Sequence, residues 1–244
     1  CYADAALALA AAISSSASKI PIVLGGAGVS AYPEFFIRHP AVDFAITGEA
    51  EVSLPAFISA MRTDSEDISD AFSHIPNLYW KFGDRFLEPP KNRQTTPDEI
   101  AFVLVRTHET RKNIYFSTSL SRGCPKKCRF CSNFLCHGKQ FRTVPVETVR
   151  AGLSSIELSR KQQEKNLFIN IEDDNLLLAP DYFFEILRIM KTRFPSARFL
   201  AENGLDYTRL TPELTERLIT CGMRQFNLSL SSIDPAILDR ENRD

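Results

Sequence analysis

Apolar and polar residues alternate along the chain with two different periods, and this pattern predicts its strands and helices. The Ala-rich opening segment predicts an amphipathic helix. The short apolar runs at residues 20–24 and 42–46 are typical of strands buried on both faces, and a helix is predicted from Glu49 through residue 62. Strands and helices that alternate in this order predict a parallel sheet covered by helices.

The same alternation occurs four times in succession from residue 113 onward, and a last helix begins at Pro235. The predicted strands are residues 114–120, 166–175, 197–204 and 225–232, and the helices between them are residues 144–161, 181–194 and 211–222. Four strand–helix steps predict a parallel barrel or an open parallel sheet. In both architectures, ligands bind at the carboxyl ends of the strands.

A polar segment between these two regions is predicted to join two domains. It contains the sequence NLYWKFGDRFLEPP, which is typical of a β-hairpin that turns at Gly83 and Asp84, and a Pro-containing tether follows it. We therefore predict one domain at residues 1–63, a hairpin and linker at residues 64–112, and a second domain at residues 113–244.

The composition and charge of the chain argue against several classes of protein. The net charge is −1 and no long basic stripe is present, so nucleic-acid binding is not indicated. No run of about 18 apolar residues is present, so neither a spanning helix nor a membrane partner is predicted. The chain begins at Cys1, without a methionine and already within a helical pattern, so we expect it to be a fragment of a longer protein.

Polar residues and glycines are concentrated at the carboxyl ends of the predicted strands. Because these ends meet at one edge of a parallel sheet, we expect their side chains to converge on one site. In the second domain these residues are Cys124, Cys128, Cys131, Glu172, Asp173, Asp174, Glu202, Asn203, Ser229, Ser231 and Ser232. In the first domain they are Gly25, Gly26, Gly48 and Glu49, although glycines at such positions are as often simple turns.

Four of the six cysteines lie between residues 124 and 136. This clustering is more typical of metal binding in a reducing compartment, such as the cytoplasm, than of disulfides. A structural zinc would need a fourth ligand, which Cys136 or His137 could supply. An iron–sulfur cube held by three thiolates would leave one iron open to another ligand. The position of the triplet above a strand of an α/β array favours the cluster.

Three stretches resemble the radical S-adenosylmethionine superfamily, in the branch whose members carry a cobalamin-binding domain. The sequence GCPKKCRFC matches the superfamily's Cys-x3-Cys-x-aromatic-Cys signature, with Phe130 in the aromatic position. The strand INIEDDN is similar to the Asp-Asp-Asn form of that branch, and residues 20–51 resemble the later half of its cobalamin-binding domain. The resemblance implies an α/β fold, with a partial flavodoxin-like (Rossmann-like) domain followed by a partial TIM-type (βα) barrel.

The resemblance also implies an activity and its cofactors. Cys124, Cys128 and Cys131 would hold a 4Fe-4S cluster, and the open iron would chelate the amino and carboxylate groups of S-adenosylmethionine. An electron from a donor such as flavodoxin or ferredoxin would cleave the sulfonium reductively, giving methionine and a 5′-deoxyadenosyl radical. Cobalamin would carry a methyl group if the reaction is a methyl transfer. The small-molecule substrate is not indicated, and methylation, ring rearrangement and oxidation all stay open.

Contacts to S-adenosylmethionine are implied for four residues of the second domain. Phe130 would border the adenine. Glu172, Asp173 and Asp174 would receive the methionine ammonium, a contact that carboxylates make well. The alternative for these three acids is a cluster at the N-terminus of the following helix.

Two further pairs of residues have roles implied by the same resemblance. Ser229 and Ser231 occupy the place where the family commonly contacts ribose, although glutamate is frequent there. Gly25 and Gly26 would allow a ligand, cobalamin in the family, to approach the backbone of the first domain.

The chain also departs from the family pattern. The Asp-x-His-x-x-Gly loop that supplies the lower cobalt ligand in many cobalamin domains is not in this sequence and would lie upstream of Cys1. Ala50 stands where glycine is common, and the later half of the barrel would lie beyond Asp244. We therefore predict that this chain by itself binds cobalamin weakly.

Overall fold

The chain forms two compact units in a computed structural model that describes residues 2–16, 20–62, 68–83, 85–89 and 93–243. The first unit contains Cys1–Glu99 together with Ser132–Gly138. The second unit contains Ile100–Cys131 together with Lys139–Asp244. The predicted domain boundary between residues 63 and 64 and the predicted turn residue Asp84 lie outside the described residues.

Helices and short strands alternate over the first 99 residues, as the sequence predicts. The helix predicted from Glu49 begins four residues later, at Ser53. In chain order the elements are α1 (Tyr2–Ser16), β1 (Val23–Leu24), α2 (Ala27–Ala31), α3 (Pro33–Ile37), β2 (Phe44–Ile46), α4 (Ser53–Ala60), α5 (Ile68–Ser73), β3 (Leu78–Phe82) and β4 (Arg85–Leu87).

The alternation continues beyond residue 100, where a long central helix follows the second parallel strand. In chain order the elements are β5 (Val105–Glu109), β6 (Asn113–Thr118), β7 (Ser121–Arg122), α6 (Phe134–His137), β8 (Arg142–Thr143), α7 (Val146–Ser154), α8 (Arg160–Gln163), β9 (Asn166–Ile171), α9 (Pro180–Arg193), β10 (Arg198–Leu200), α10 (Pro212–Thr220) and α11 (Pro235–Arg240).

The sheet of the first unit has the strand order β1-β2-β3-β4. Strands β1 and β2 are parallel, with Val23 opposite Phe44, and β3 runs antiparallel to β2. Strands β3 and β4 form the hairpin that the sequence predicts around Gly83. Because β3 contributes Leu78 and Trp80 to the buried core, the hairpin completes this sheet in addition to leading into the linker.

The sheet of the second unit has the order β10-β9-β6-β5. Strands β6, β9 and β10 are parallel, whereas β5 is an antiparallel edge strand. Helix α9 covers the sheet with Phe183, Ile186, Leu187 and Met190, which are spaced i, i+3, i+4 and i+7 and are all buried. The carboxyl ends of the parallel strands therefore project from a well-packed core.

The strand predicted at residues 225–232 is not formed, and this prediction was wrong. A single isolated bridge occurs there, between Leu228 and Leu205, and a second one lies just before it, between Met223 and Phe199. The physical reason is burial: Leu228 is 50% exposed and Leu230 is 55% exposed, so this apolar run is not covered on both faces as a central strand would be. The predicted last helix is present as α11.

The helices give no indication of a membrane-spanning segment. Within the part of the chain that the structure describes, none combines the length and the apolar character needed to cross a bilayer.

Candidate functional site

The cysteine loop leaves the carboxyl end of β6, as the sequence predicts. The loop begins at Leu120, which is fully buried, and passes through β7, whose Ser121 pairs with Thr143 of β8. Leu120 is held further by the amide of Val144, which donates to its carbonyl oxygen at 2.8 Å. The start of the loop is therefore fixed by the core of the second unit.

The three thiols follow this fixed start. Cys124, Cys128 and Cys131 are each half-buried, and the Cys131 amide donates to the Cys128 carbonyl at 3.2 Å in a local turn. No disulfide joins any of the cysteines that the structure describes. Partial exposure leaves these sulfur atoms accessible to a metal group from outside the loop.

Asp173 and Asp174 lie against the backbone of this loop. Asp173, which is only 3% exposed, accepts from the Leu120 amide at 2.7 Å and from the Ser121 hydroxyl. Asp174 accepts from the Gly123 amide at 2.6 Å. Burial raises the pKa of Asp173 to about 7, against the opposing effect of these hydrogen bonds.

Two side chains that the sequence did not single out donate to sulfur. Asn175 Nδ2 lies 3.8 Å from Cys124 Sγ, and Arg243 Nη1 lies 3.8 Å from Cys128 Sγ. Asn175 could have been found, because it directly continues the acidic motif. Arg243 could not, because 115 residues separate it from Cys128 and no local pattern marks it.

Lys126 of the cysteine loop forms a largely buried ion pair. Its ammonium lies 2.6 Å from Asp206 Oδ2, and Asp206 also accepts from the Thr208 hydroxyl at 2.8 Å. Burial acts to raise the pKa of Asp206, but the hydrogen bonds from Lys126 and Thr208 outweigh it, so the pKa lies below its usual value. This pair ties the loop to the segment that follows β10.

The carboxylate of Glu172 is exposed at the carboxyl end of β9. It accepts from the Ser117 hydroxyl at 2.8 Å and from Asn170 Nδ2 at 3.1 Å. The same Asn170 nitrogen donates to Glu202 at 3.2 Å. One amide therefore holds two carboxylates side by side at the ends of neighbouring strands.

Three other residues predicted to contact S-adenosylmethionine, Phe130, Ser229 and Ser231, differ in their surroundings. The Phe130 ring is 57% exposed, with the Arg243 guanidinium 5.8 Å from its centre. The carbonyl oxygen of Ser229 accepts from Arg243 Nη2 at 2.5 Å, which ties that segment to the same arginine. Ser231 is exposed.

The donor set of the loop fits an iron–sulfur cluster by its chemistry. Three soft sulfur donors are present, and N–H groups of Asn175 and Arg243 lie 3.8 Å from two of the sulfur atoms, as is common around such clusters. Among the residues that the structure describes, no three or more His, Cys, Asp or Glu side chains are placed together so that they could hold a metal ion, and this includes Cys124, Cys128 and Cys131. Cys136 and His137, the two candidates for a fourth zinc ligand, lie in α6 and belong to the first unit.

The predicted ligand-binding glycines of the first unit follow β1. Gly26 has a φ of 98°, and a Cβ atom at that position would have no neighbour within 4 Å, so the space beside it is open. At the end of β2, a Cβ atom on Gly48 would lie 3.4 Å from the Cys136 carbonyl oxygen of α6. A cavity of about 200 Å³ is lined by Ser30, Gly48 and Phe134 among other residues of this unit.

Glu49 clamps the linker segment within the first unit. The side chain is 4% exposed, and one carboxylate oxygen accepts from both the amide and the hydroxyl of Thr95, each at 2.7 Å. Asn77 braces the same segment, because its Oδ1 accepts from the Arg93 amide at 2.6 Å. The glutamate of the Gly-Glu stretch therefore has a structural role.

We expect Glu49→Ala to destabilise the first unit by about 2–4 kcal/mol, because it leaves buried donors of Thr95 without their acceptor. Urea denaturation followed by fluorescence measures this, since the chain has one tryptophan, Trp80, which is buried in this unit. The matched control is Glu34→Ala, which removes an exposed ion pair with Arg38 and should cost less than about 1 kcal/mol. Equal effects of the two substitutions would contradict the clamp.

The fold of the chain is that of solved cobalamin-dependent radical S-adenosylmethionine enzymes. The methyltransferase TsrM from Kitasatospora setae, solved with cobalamin and a [4Fe-4S] cluster bound, matches with a TM-score of 0.66 and 18% identity over 89% of this chain and 44% of that chain. The enzyme OxsB, solved with aqua-cobalamin and S-adenosylmethionine bound, matches with a TM-score of 0.65 and 15% identity over 91% of this chain and 32% of that chain. The predicted fold class is thereby confirmed.

Two curated proteins match part of the sequence. A bacteriochlorophyllide d C-12(1)-methyltransferase from Chlorobaculum tepidum is 26% identical over 61% of this chain and 31% of its own length. An uncharacterised methyltransferase from Pyrococcus horikoshii is 31% identical over 54% of this chain and 29% of its own length. The matched part of the chain thus spans about a third of these relatives. No protein-family profile matches the chain.

Proposed function

Because the chain has the fold of cobalamin-dependent radical S-adenosylmethionine enzymes, we propose that it carries the cluster-binding portion of such an enzyme. Cys124, Cys128 and Cys131 are the proposed cluster ligands. The observation that carries the proposal is the position of this triplet. It follows the carboxyl end of β6, and the start of its loop is held by Asp173 and Asp174, which follow the parallel neighbour β9.

When bound, the cluster supplies the electron, received from a donor such as flavodoxin or ferredoxin, that reductively cleaves S-adenosylmethionine. Among the acids that directly follow β9, Glu172 has the exposed carboxylate that can receive the methionine ammonium. Ser117 and Asn170 orient that carboxylate by hydrogen bonds of 2.8 and 3.1 Å. The exposed Phe130 ring offers a face for the adenine.

Methyl transfer is the reaction that the comparisons favour among those that the sequence leaves open. Both curated relatives are named methyltransferases, and TsrM is one as well. We propose a small-molecule methyl acceptor, with cobalamin as the methyl carrier in the complete protein. We propose a reducing, cytoplasmic location, because four of the six cysteines lie between residues 124 and 136, a clustering typical of metal binding.

The test of the proposed function is anaerobic reconstitution of the chain with iron and sulfide. We expect a brown protein with about four irons and an absorption band near about 400 nm, since thiolates hold the cluster. With dithionite and S-adenosylmethionine, this protein should form 5′-deoxyadenosine and methionine. A colourless protein that retains one zinc would overturn the proposal, and an intact cluster that leaves S-adenosylmethionine uncleaved would overturn its radical chemistry.

We expect this chain by itself to bind cobalamin with a Kd weaker than about 100 µM, equivalent to less than about 6 kcal/mol of binding free energy. The physical reason is that the Asp-x-His-x-x-Gly loop, which supplies the lower cobalt ligand in many cobalamin domains, is not in this sequence. Titration with hydroxocobalamin, monitored by visible absorbance, measures this affinity. Stoichiometric binding at micromolar concentration would contradict the expectation.

A further inference from the structure

We infer that Asp173, Asp174 and Asn175 are positioning residues that hold the start of the cysteine loop, residues 120–124, in place for metal binding, in addition to anything that the neighbouring Glu172 binds. The inference rests on the proposed function only for the identity of the metal group. The contacts themselves belong to the second unit and involve residues 120–124 of the loop.

The three residues contact the loop in register. Asp173 accepts from the Leu120 amide and the Ser121 hydroxyl, Asp174 accepts from the Gly123 amide, and Asn175 donates to the thiol of Cys124. From residue 173 to residue 175, each successive side chain contacts a residue further along the loop. Three consecutive side chains therefore determine where the first cysteine stands.

The parallel pairing of β6 and β9 explains this register. Thr118 is opposite Ile171 at the end of the two strands, and the Glu172 amide donates to the Thr118 carbonyl at 2.8 Å just beyond them. After this point, the two segments leave the sheet side by side. The side chains of residues 173–175 then replace the backbone pairing, so the loop stays aligned although the sheet has ended.

The geometry separates these residues from an ammonium-binding role. Asp173 is 3% exposed and both of its carboxylate oxygens accept hydrogen bonds from the loop. Asp174 is half-buried, with one carboxylate oxygen 2.6 Å from the Gly123 amide. Glu172 is exposed, and its carboxylate accepts a hydrogen bond from Ser117 of β6. A positioning role needs hydrogen-bond acceptors, whereas binding of an ammonium group needs negative charge.

This difference allows charge and hydrogen bonding to be tested separately. Asparagine retains an acceptor oxygen in place of a carboxylate but has no charge, whereas alanine removes both. The metal-free chain is therefore prepared as the wild type and as D174A, D174N and D173N. Alkylation of Cys124 by iodoacetamide is followed by peptide mass spectrometry, with Cys221 of the same unit as the internal reference.

We expect D174A to accelerate alkylation of Cys124 at least fivefold relative to Cys221, because the loop loses the acceptor for Gly123. In D174N and D173N, the alkylation rate of Cys124 should stay within twofold of the wild-type rate, because asparagine retains an acceptor oxygen for the loop. The melting temperature of D174A should change by only a few degrees. An unchanged Cys124 rate in D174A, or an equally large change in D174N, would overturn the inference.

Reconstitution with iron and sulfide gives a second readout. D174A and N175A should retain at most a third of the iron of the wild type, whereas D174N should retain nearly all of it. The Kd of D174N for S-adenosylmethionine should lie within twofold of the wild-type Kd. A D174N protein with full iron content but tenfold weaker S-adenosylmethionine binding would assign Asp174 to the ammonium and overturn the inference. If the wild type takes up no iron, the proposed function fails, and the alkylation rates of the metal-free chain still decide whether residues 173–175 hold the loop.

Discussion

Replacing Cys124, Cys128 or Cys131 singly by alanine is expected to lower S-adenosylmethionine cleavage by at least about a hundredfold and to remove most of the bound iron. Each residue is proposed to supply one of three thiolates, and two thiolates cannot hold a cube that already has one open iron. All three positions are half-buried on a surface loop, so the substitutions should leave the core of the second unit intact. Iron content, visible absorption and 5′-deoxyadenosine formation under anaerobic conditions measure the effect.

Two other cysteines provide matched controls for this experiment. Cys221 ends α10 in the second unit, and Cys136 lies in α6 of the first unit. We expect C221A and C136A to retain the iron and the cleavage activity of the wild type. Loss of metal in C136A as complete as in C124A would indicate a four-cysteine site and would contradict a cluster with an open iron.

Changing Asp173 to asparagine is expected to remove a pH dependence of stability worth at most about 4 kcal/mol. Burial raises the pKa of Asp173 from its ordinary value of 3.8 to about 7, and each pKa unit corresponds to about 1.4 kcal/mol. Because the folded protein holds this proton more tightly than the unfolded chain, the stabilisation is fully present below pH 4. It is lost as the pH rises through about 7.

The measurement compares urea denaturation of the metal-free wild type and of D173N between pH 4 and pH 8 by circular dichroism. The difference between the two proteins cancels the contribution of titratable groups that do not interact with Asp173. Asp174 and Tyr182 face Asp173, so their changes are part of the measured difference. The wild type should lose stability relative to D173N as the pH rises. A difference that is constant over this range would show that Asp173 is ionised normally in the fold.

The sequence alone predicted the elements whose evidence is local. Apolar runs identified the positions of β1, β2, β6, β9 and β10. The expected burial on both faces was wrong for the first run, because β1 spans only Val23–Leu24, both half-buried, and Ile20 is 61% exposed. The 3.6-residue period of apolar residues identified α9 and α10, because a helix that packs one face against the core is apolar on that face. The spacing of the three cysteines within one loop also needs no tertiary information. These features account for the fold class, which the comparisons confirm.

Other features depend on contacts between distant parts of the chain. The apolar pattern at residues 225–232 predicted a strand that the structure does not have, because burial on both faces depends on neighbours that the pattern does not contain. The sequence did not predict that residues 132–138 pack with the first unit, directly after the third cysteine. Nor did it predict that the hairpin at Gly83 completes the first sheet.

The acidic motif at residues 172–174 shows most clearly what the sequence determines and what only the tertiary structure determines. Composition and position by themselves placed Glu172, Asp173 and Asp174 at the end of a strand beside the cysteine loop, and the structure agrees with that placement. Only the tertiary structure decided that Glu172 is exposed while Asp173 is buried against Leu120, because the direction of a side chain beyond a strand end depends on which backbone groups need a partner there. The contact of Arg243 with Cys128 was likewise decided by the folded chain, since no periodic pattern links residues so far apart.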